Sequence, residues 1–195
     1  MSRIDRRTLL RVMGAASVTP LIGGTGILER TLGAPPKVVV ARPGENRYPY
    51  TNAQQSDRSP CKLTSADSAG ALSMFELKVP SRTGPARHVH HREDEWCYVV
   101  EGEFLFEAGD EKTTLPAGGS IWMPRGIPHV WANTSATNGR LIVACRPGGF
   151  EKFFDELGTI PEANVSPATV KKVMAKYGMD YLGPPLFGLW RQPSK

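Results

Sequence analysis

Histidine and cysteine are both scarce in this sequence: four histidines and three cysteines in 195 residues. Cys61, Cys97 and Cys145 form no CxxC pair, which excludes a dithiol redox motif or a zinc knuckle of that spacing. Their odd number also excludes a fully paired disulfide scaffold. Cys97 and Cys145 lie in the apolar runs "EWCYVV" and "LIVACRP" and read as small core residues, with a disulfide between them left open. No apolar run is long and clean enough for a stable membrane span. The uncharged stretch Val12 to Leu28 is rich in Gly, Ala, Ser and Thr, and Pro20 interrupts it. One-sided charge is missing from the body. The formal net charge is +5, of which +3 sits in residues 1–34 and +2 in residues 35–195. That near-balance excludes nucleic acid as a partner read from charge. Internal repeats and low-complexity tracts are absent, and the length suits one domain with a real core.

What the sequence has in quantity is glycine (20) and proline (17), which punctuate short strands and argue against a helix bundle. "KVVVA" from Lys37 reads as a strand. Residues 41–70 read as loops with one edge strand near "CKLT". "ALSMFELKV" alternates, with Leu72 and Met74 competing against Phe75, Leu77 and Val79 for the inward face. "EWCYVV" and "EFLFEAG" flank a turn at Gly102, "GSIWMP" and "HVWANT" flank a turn at "RGIP", and "RLIVACRP" closes the series. Such spacing predicts an all-β sandwich or barrel. After Pro147 the period changes. "FEKFFDELG" predicts a short amphipathic helix. "SPATVKKVMAKYG" predicts a second, with Ser166 as N-cap, Pro167 in the first turn and Gly178 past the end. Val170, Val173, Met174 and Tyr177 form its apolar stripe. "LGPPLFGLW" reads as extended.

The first 34 residues look like an address. Arg6-Arg7 precedes Thr8, Leu9 and Leu10 and a mild apolar region, and this resembles a bacterial twin-arginine export signal. The expected organisation is a signal over residues 1–34, a β-barrel over 35–148 and a C-terminal helical extension over 149–195 that packs on the barrel.

Three of the four histidines fall at positions 88, 90 and 91. His88 and His90, two apart on a strand, share a face, and His91 points the other way. A turn at "HREDE" would let Glu95 start a returning strand toward the pair. His129 stands in "PRGIPHVWAN". Three imidazoles and one carboxylate suit Fe, Mn, Ni, Co, Cu or Zn. His91 reads as a surface or supporting group. Glu93 and Asp94 read as a solvated turn, or as partners that orient a ligand imidazole.

These spacings resemble the two cupin motifs. HxH(x)3–4E(x)6G is filled by His88, His90, Glu95 and Gly102, and G(x)5PxG(x)2H(x)3N by Gly118, Pro124, Gly126, His129 and Asn133, with fifteen residues between Gly102 and Gly118. One position departs: the first motif opens with Gly six places before its first His, and Arg82 stands there. The resemblance spans roughly Ala71 to Pro147. It implies a single conical cupin β-barrel (a double-stranded β-helix, jelly-roll-like) with a divalent transition metal on His88, His90, Glu95 and His129. Fe, Mn, Ni or Co are favoured, with Cu and Zn open. Among cupins the chain is similar to single-domain bacterial quercetin 2,3-dioxygenase-like proteins. That implies a phenolic or enolisable small-molecule substrate, dioxygen as co-substrate, and Glu95 as catalytic base. Cys97, Val99 and Trp131, in phase with the ligands, are expected to line the substrate pocket. An oxalate-type metal cupin, an exported non-enzymatic binder, and assembly as a homodimer stay open.

Overall fold

The computed structural model describes residues 37–188. The expected export signal over residues 1–34, residues 35–36 and residues 189–195 lie outside them. The fold is mostly β, with two five-stranded antiparallel sheets in a cupin-like jelly roll and a short helical C-terminal part. The first sheet has the order β1-β2-β9-β4-β7, from β1 (Cys61–Leu63), β2 (Ser73–Val79), β4 (Asp94–Glu101), β7 (Ser120–Met123) and β9 (Gly139–Arg146). The second has the order β10-β3-β8-β5-β6, from β3 (Arg87–His90), β5 (Glu103–Ala108), β6 (Glu111–Pro116), β8 (His129–Asn133) and β10 (Met179–Gly183).

Alternation settles which faces meet. In β2 the inward set is Ser73, Phe75, Leu77 and Val79, so the longer apolar series wins and Met74 turns outward. In β4 it is Glu95, Cys97 and Val99, and in β9 Gly139, Leu141, Val143 and Cys145. Phe104 and Phe106 of β5 close the core from the facing sheet, fully buried. Burying a phenylalanine side chain contributes about 1.5–3 kcal/mol, so these rings and Phe75 anchor the sandwich. The three cysteines are buried free thiols. No helix among the described residues is long and apolar enough to cross a membrane.

The turns at Gly102 and at "RGIP" are corners rather than hairpins. The strands they join lie in different sheets, and Gly102 and Gly126 take φ of +88° and +81°, which glycine adopts without strain. Two local expectations fail, and one strand was not expected. Lys37–Ala41 forms no strand; Val38 and Val40 are 85% and 60% exposed, and the apolar run joins no sheet among the described residues. Residues 41–70 contain a helix, α1 (Ala53–Arg58), besides β1. Strand β6, "EKTTLP", lacks apolar alternation because it is a solvated edge, and it pairs only with β5.

The C-terminal segment folds onto the strands that carry the histidines. Helix α2 (Glu151–Thr159) follows Phe150 and buries Phe153. Helix α3 (Pro167–Lys176) starts in a reciprocal cap: the Thr169 N–H donates to Ser166 Oγ, and the Ser166 N–H donates to Thr169 Oγ1. Its stripe of Val170, Val173 and Met174 is buried. The buried carboxylate of Glu151 is fixed by the Ser65 N–H and by the Ser65 and Ser73 hydroxyls, which ties α2 to the first sheet. Beyond α3 comes strand β10, which overlaps the run expected to be extended only at Leu182 and Gly183, and residues 186–188 turn. β10 pairs with β3, placing Met179 opposite His90 and Tyr181 opposite His88.

Candidate metal centre

Period-2 geometry on β3 turns His88 and His90 inward together. β8 brings His129 directly opposite His88, and the start of β4 supplies Glu95 from the facing sheet. Asp94, next to Glu95, grips Arg125: the guanidinium donates to both carboxylate oxygens at 3.0 and 2.8 Å, and the Arg125 N–H adds a third bond. Those bonds hold the Asp94 carboxyl down at about 2 and fix the turn that delivers His129.

One ligand atom from each of His88, His90, Glu95 and His129 lies within 4.8 Å of all the others, and all four residues are buried. Each imidazole is oriented through Nδ1. His88 Nδ1–H donates to the Ala86 carbonyl at 2.7 Å, His129 Nδ1–H to the Ile127 carbonyl at 3.0 Å, and His90 Nδ1–H to Glu93 Oε2 at 3.3 Å. In its neutral form, with the proton on Nδ1, each imidazole presents the Nε2 lone pair. The Nε2 atoms of His88 and His90 stand 3.2 Å apart. Glu95 Oε2 lies 3.3 Å from His90 Nε2 and 3.9 Å from His129 Nε2. His129 Nε2 is buried with no hydrogen-bond partner. Converging lone pairs and a carboxylate in a dry site repel one another unless a cation sits among them. The donor set therefore fits a divalent first-row metal and can hold one.

The electrostatics point the same way. Burial pushes His88 down to about 3, with His129 and His90 adding to the effect. Burial also lowers His129. For His90 the burial penalty is outweighed by Glu93 and Glu95, which raise it to about 9. Glu95 would rise through burial, but the three histidines outweigh that and keep it ionised. Positive charge is thus favoured beside the two carboxylates.

The remaining residues sort by position. His91 is exposed and pairs with Asp180 on β10 at 2.9 Å. Glu93 is buried against His90, not solvated, and serves the imidazole-orienting role. We expect Glu93→Gln to weaken metal binding by about 10- to 100-fold, the usual cost of losing a partner behind a ligand, with the fold intact. Chelator competition reads this, and unchanged affinity would contradict it.

A cleft of about 790 Å³ reaches His88 and Glu95. Trp131 lines it, but Cys97 and Val99 do not. Both are wholly buried, and the Cys97 thiol donates to Glu95 Oε1 at 3.3 Å, behind the ligand. Period 2 placed them inward, and inward here means core. Phe150, Phe153, Phe154 and Met174 from the C-terminal segment supply much of the apolar wall, with the Phe150 ring 5.0 Å from that of His90. Their role carries no local signal, because it depends on how the segment folds back.

Residues 75–145 match the family described as "Cupin domain". The match covers about a third of the chain. At the level of individual proteins, the HTH-type transcriptional regulator PuuR of Escherichia coli is 36% identical over 77 residues, 40% of this chain and 41% of that protein, and its Shigella flexneri counterpart matches equally. The chain thus spans about four tenths of the length of these curated relatives. Among solved structures, KdgF from a Halomonas species aligns at 21% identity, covering 48% of this chain and 81% of that one, with a TM-score of 0.44. A predicted oxalate decarboxylase from Thermotoga maritima aligns at 22% identity, covering 46% and 78%, with a TM-score of 0.43.

Proposed function

We propose that the chain is a metal-dependent cupin oxygenase acting on a phenolic or enolisable small molecule of the flavonol type. The observation that carries this reading is the cleft. Its volume, about 790 Å³, and its aromatic wall suit a planar aromatic body, and its inner end reaches His88 and Glu95. A two-carbon diacid would leave most of that space unfilled. His88, His90, Glu95 and His129 would hold the metal, which when bound lowers the pKa of a coordinated hydroxyl and supports reaction with dioxygen. Glu95, ionised and buried, takes the substrate hydroxyl proton on its carboxylate. Phe150, Phe153 and Trp131 orient the ring and keep water away from it. The test is oxygen uptake with flavonol consumption by metal-containing protein. Uptake matched to consumption supports the activity, and metal-containing protein that turns over no member of a phenolic panel refutes it. A second reading, a ligand-binding cupin without turnover, draws on the identity to a transcriptional regulator. It predicts saturable ligand binding with no oxygen uptake.

Arg6-Arg7 and the apolar run behind it support export by a twin-arginine route. Such a route carries proteins already folded, so the metal would be chosen inside, where Fe, Mn, Ni or Co need not compete with copper or zinc outside. Replacing Arg6 and Arg7 with lysine is expected to leave folded, metal-loaded protein in the cytoplasm. Cell fractionation reads the outcome, and unchanged export would discard the signal.

A further inference from the structure

The loop from Pro80 to Ala86 forms one rim of the cleft. Its backbone is fixed on β8. The Arg82 N–H donates to the Asn133 carbonyl at 3.0 Å, and the Asn133 N–H donates to the Thr83 carbonyl at 2.9 Å. Gly84 presses on Trp131 so closely that a Cβ would stand 1.9 Å from its carbonyl oxygen. Within this fixed loop Arg82 takes φ +55°. That is a left-handed conformation which glycine adopts freely and which strains a residue with a Cβ. The cupin-type motif has glycine at this position, and the geometry explains why. Strain retained where a glycine would serve points to a use for the side chain.

The side chain sits where it can be used. The Arg82 guanidinium lies 4.2 Å over the Phe187 ring, and both residues line the cleft. Arg47, Arg87, Arg125 and Arg140 each pair with a carboxylate. Arg82 has no ion pair among the described residues, and it is exposed. Arg58 adds a second guanidinium-bearing residue to the lining. Glu95 is the one acid among the described lining residues, and it is turned toward the histidines. The cleft therefore has an apolar middle, a metal-type site at its inner end and positive charge at its rim.

We propose that the ligand of this cleft carries an anionic group, of the carboxylate class, on an apolar aromatic body, and that Arg82 reads that group. This rests on the reading of the cleft as the substrate site, and within the phenolic or enolisable class it selects members that carry a carboxylate in place of an uncharged flavonol. A planar guanidinium matches a carboxylate in two parallel hydrogen bonds, and stacking on Phe187 pre-orients it.

The test compares cinnamate with cinnamyl alcohol, which share a body and differ in charge, by calorimetric titration of full-length metal-containing protein at low salt. Wild type is expected to bind cinnamate about 10-fold more tightly than the alcohol, a factor in keeping with a charge-assisted contact at a solvated rim. Arg82→Gly is expected to keep its fold, because glycine suits φ +55°, and to lose that preference. Arg82→Lys, which keeps the charge without the fork, is expected to restore part of it. Equal affinity for the two compounds, no binding of either, or a preference that survives in Arg82→Gly at an unchanged melting temperature would overturn the proposal. Oxygen-consuming turnover with no charge preference would leave the oxygenase reading and remove this one. Arg82-dependent cinnamate binding without oxygen uptake on any phenolic substrate would do the reverse.

Discussion

Replacing His88, His90 or His129 with alanine is expected to lower metal affinity by more than about 100-fold in each case. The floor follows from the partners behind the ligands, which alone are worth about 10- to 100-fold; a ligand removes a bond to the metal itself. The three variants should nevertheless differ when metal-free. His90→Ala leaves the Glu93 and Glu95 carboxylates without the imidazole that now neutralises them, so metal-free protein should lose the most stability there. His129→Ala removes a nitrogen that has no partner without a metal, so its cost is confined to lost packing and the Ile127 bond. Metal content by elemental analysis and thermal melts with and without chelator measure both effects. Two of the three variants retaining full metal would refute the ligand assignment.

Glu95→Gln is expected to reduce turnover per bound metal by about 10²–10⁴-fold, the range of a lost general base. Glutamine keeps the size and one oxygen, so the Cys97 thiol retains an acceptor. It loses the negative charge and with it the capacity to take the substrate proton. Metal affinity also falls, because an anionic ligand becomes neutral. The discriminating quantity is therefore rate divided by metal occupancy at saturating metal. A variant with reduced occupancy but the wild-type rate per metal would assign Glu95 to metal binding alone and remove it as the base.

Much of this site is legible in the sequence because its determinants are local. His88 and His90 share a face by strand alternation alone, and the motif spacing brings in Glu95 across the short turn after His90 and His129 across the corner at Gly126. The helices from Glu151 and Pro167 are equally legible, since caps and an apolar stripe are local signals. What stays hidden is contact between distant segments. Val38 and Val40 look like strand residues, yet a strand needs a partner edge and none among the described residues receives them. β6 is a strand only because β5 pairs with it. The alternation of Cys97 and Val99 reports burial, and burial alone does not distinguish core from pocket wall. Phe150, Phe153 and Met174 reach the cleft because β10 and Glu151 fasten the C-terminal segment over β3. Arg82 was visible as a departure from a glycine position, but its meaning required the backbone angle and the ring of Phe187.

A buried metal centre of three histidines and one carboxylate is tested by X-ray absorption at the metal edge on protein purified with its native metal. About one first-row transition metal per chain is expected, with nitrogen and oxygen neighbours near 2.0–2.2 Å and the outer-shell scattering of three imidazoles. Protein that carries no metal and takes none up, or a bound metal without imidazole scattering, would contradict it.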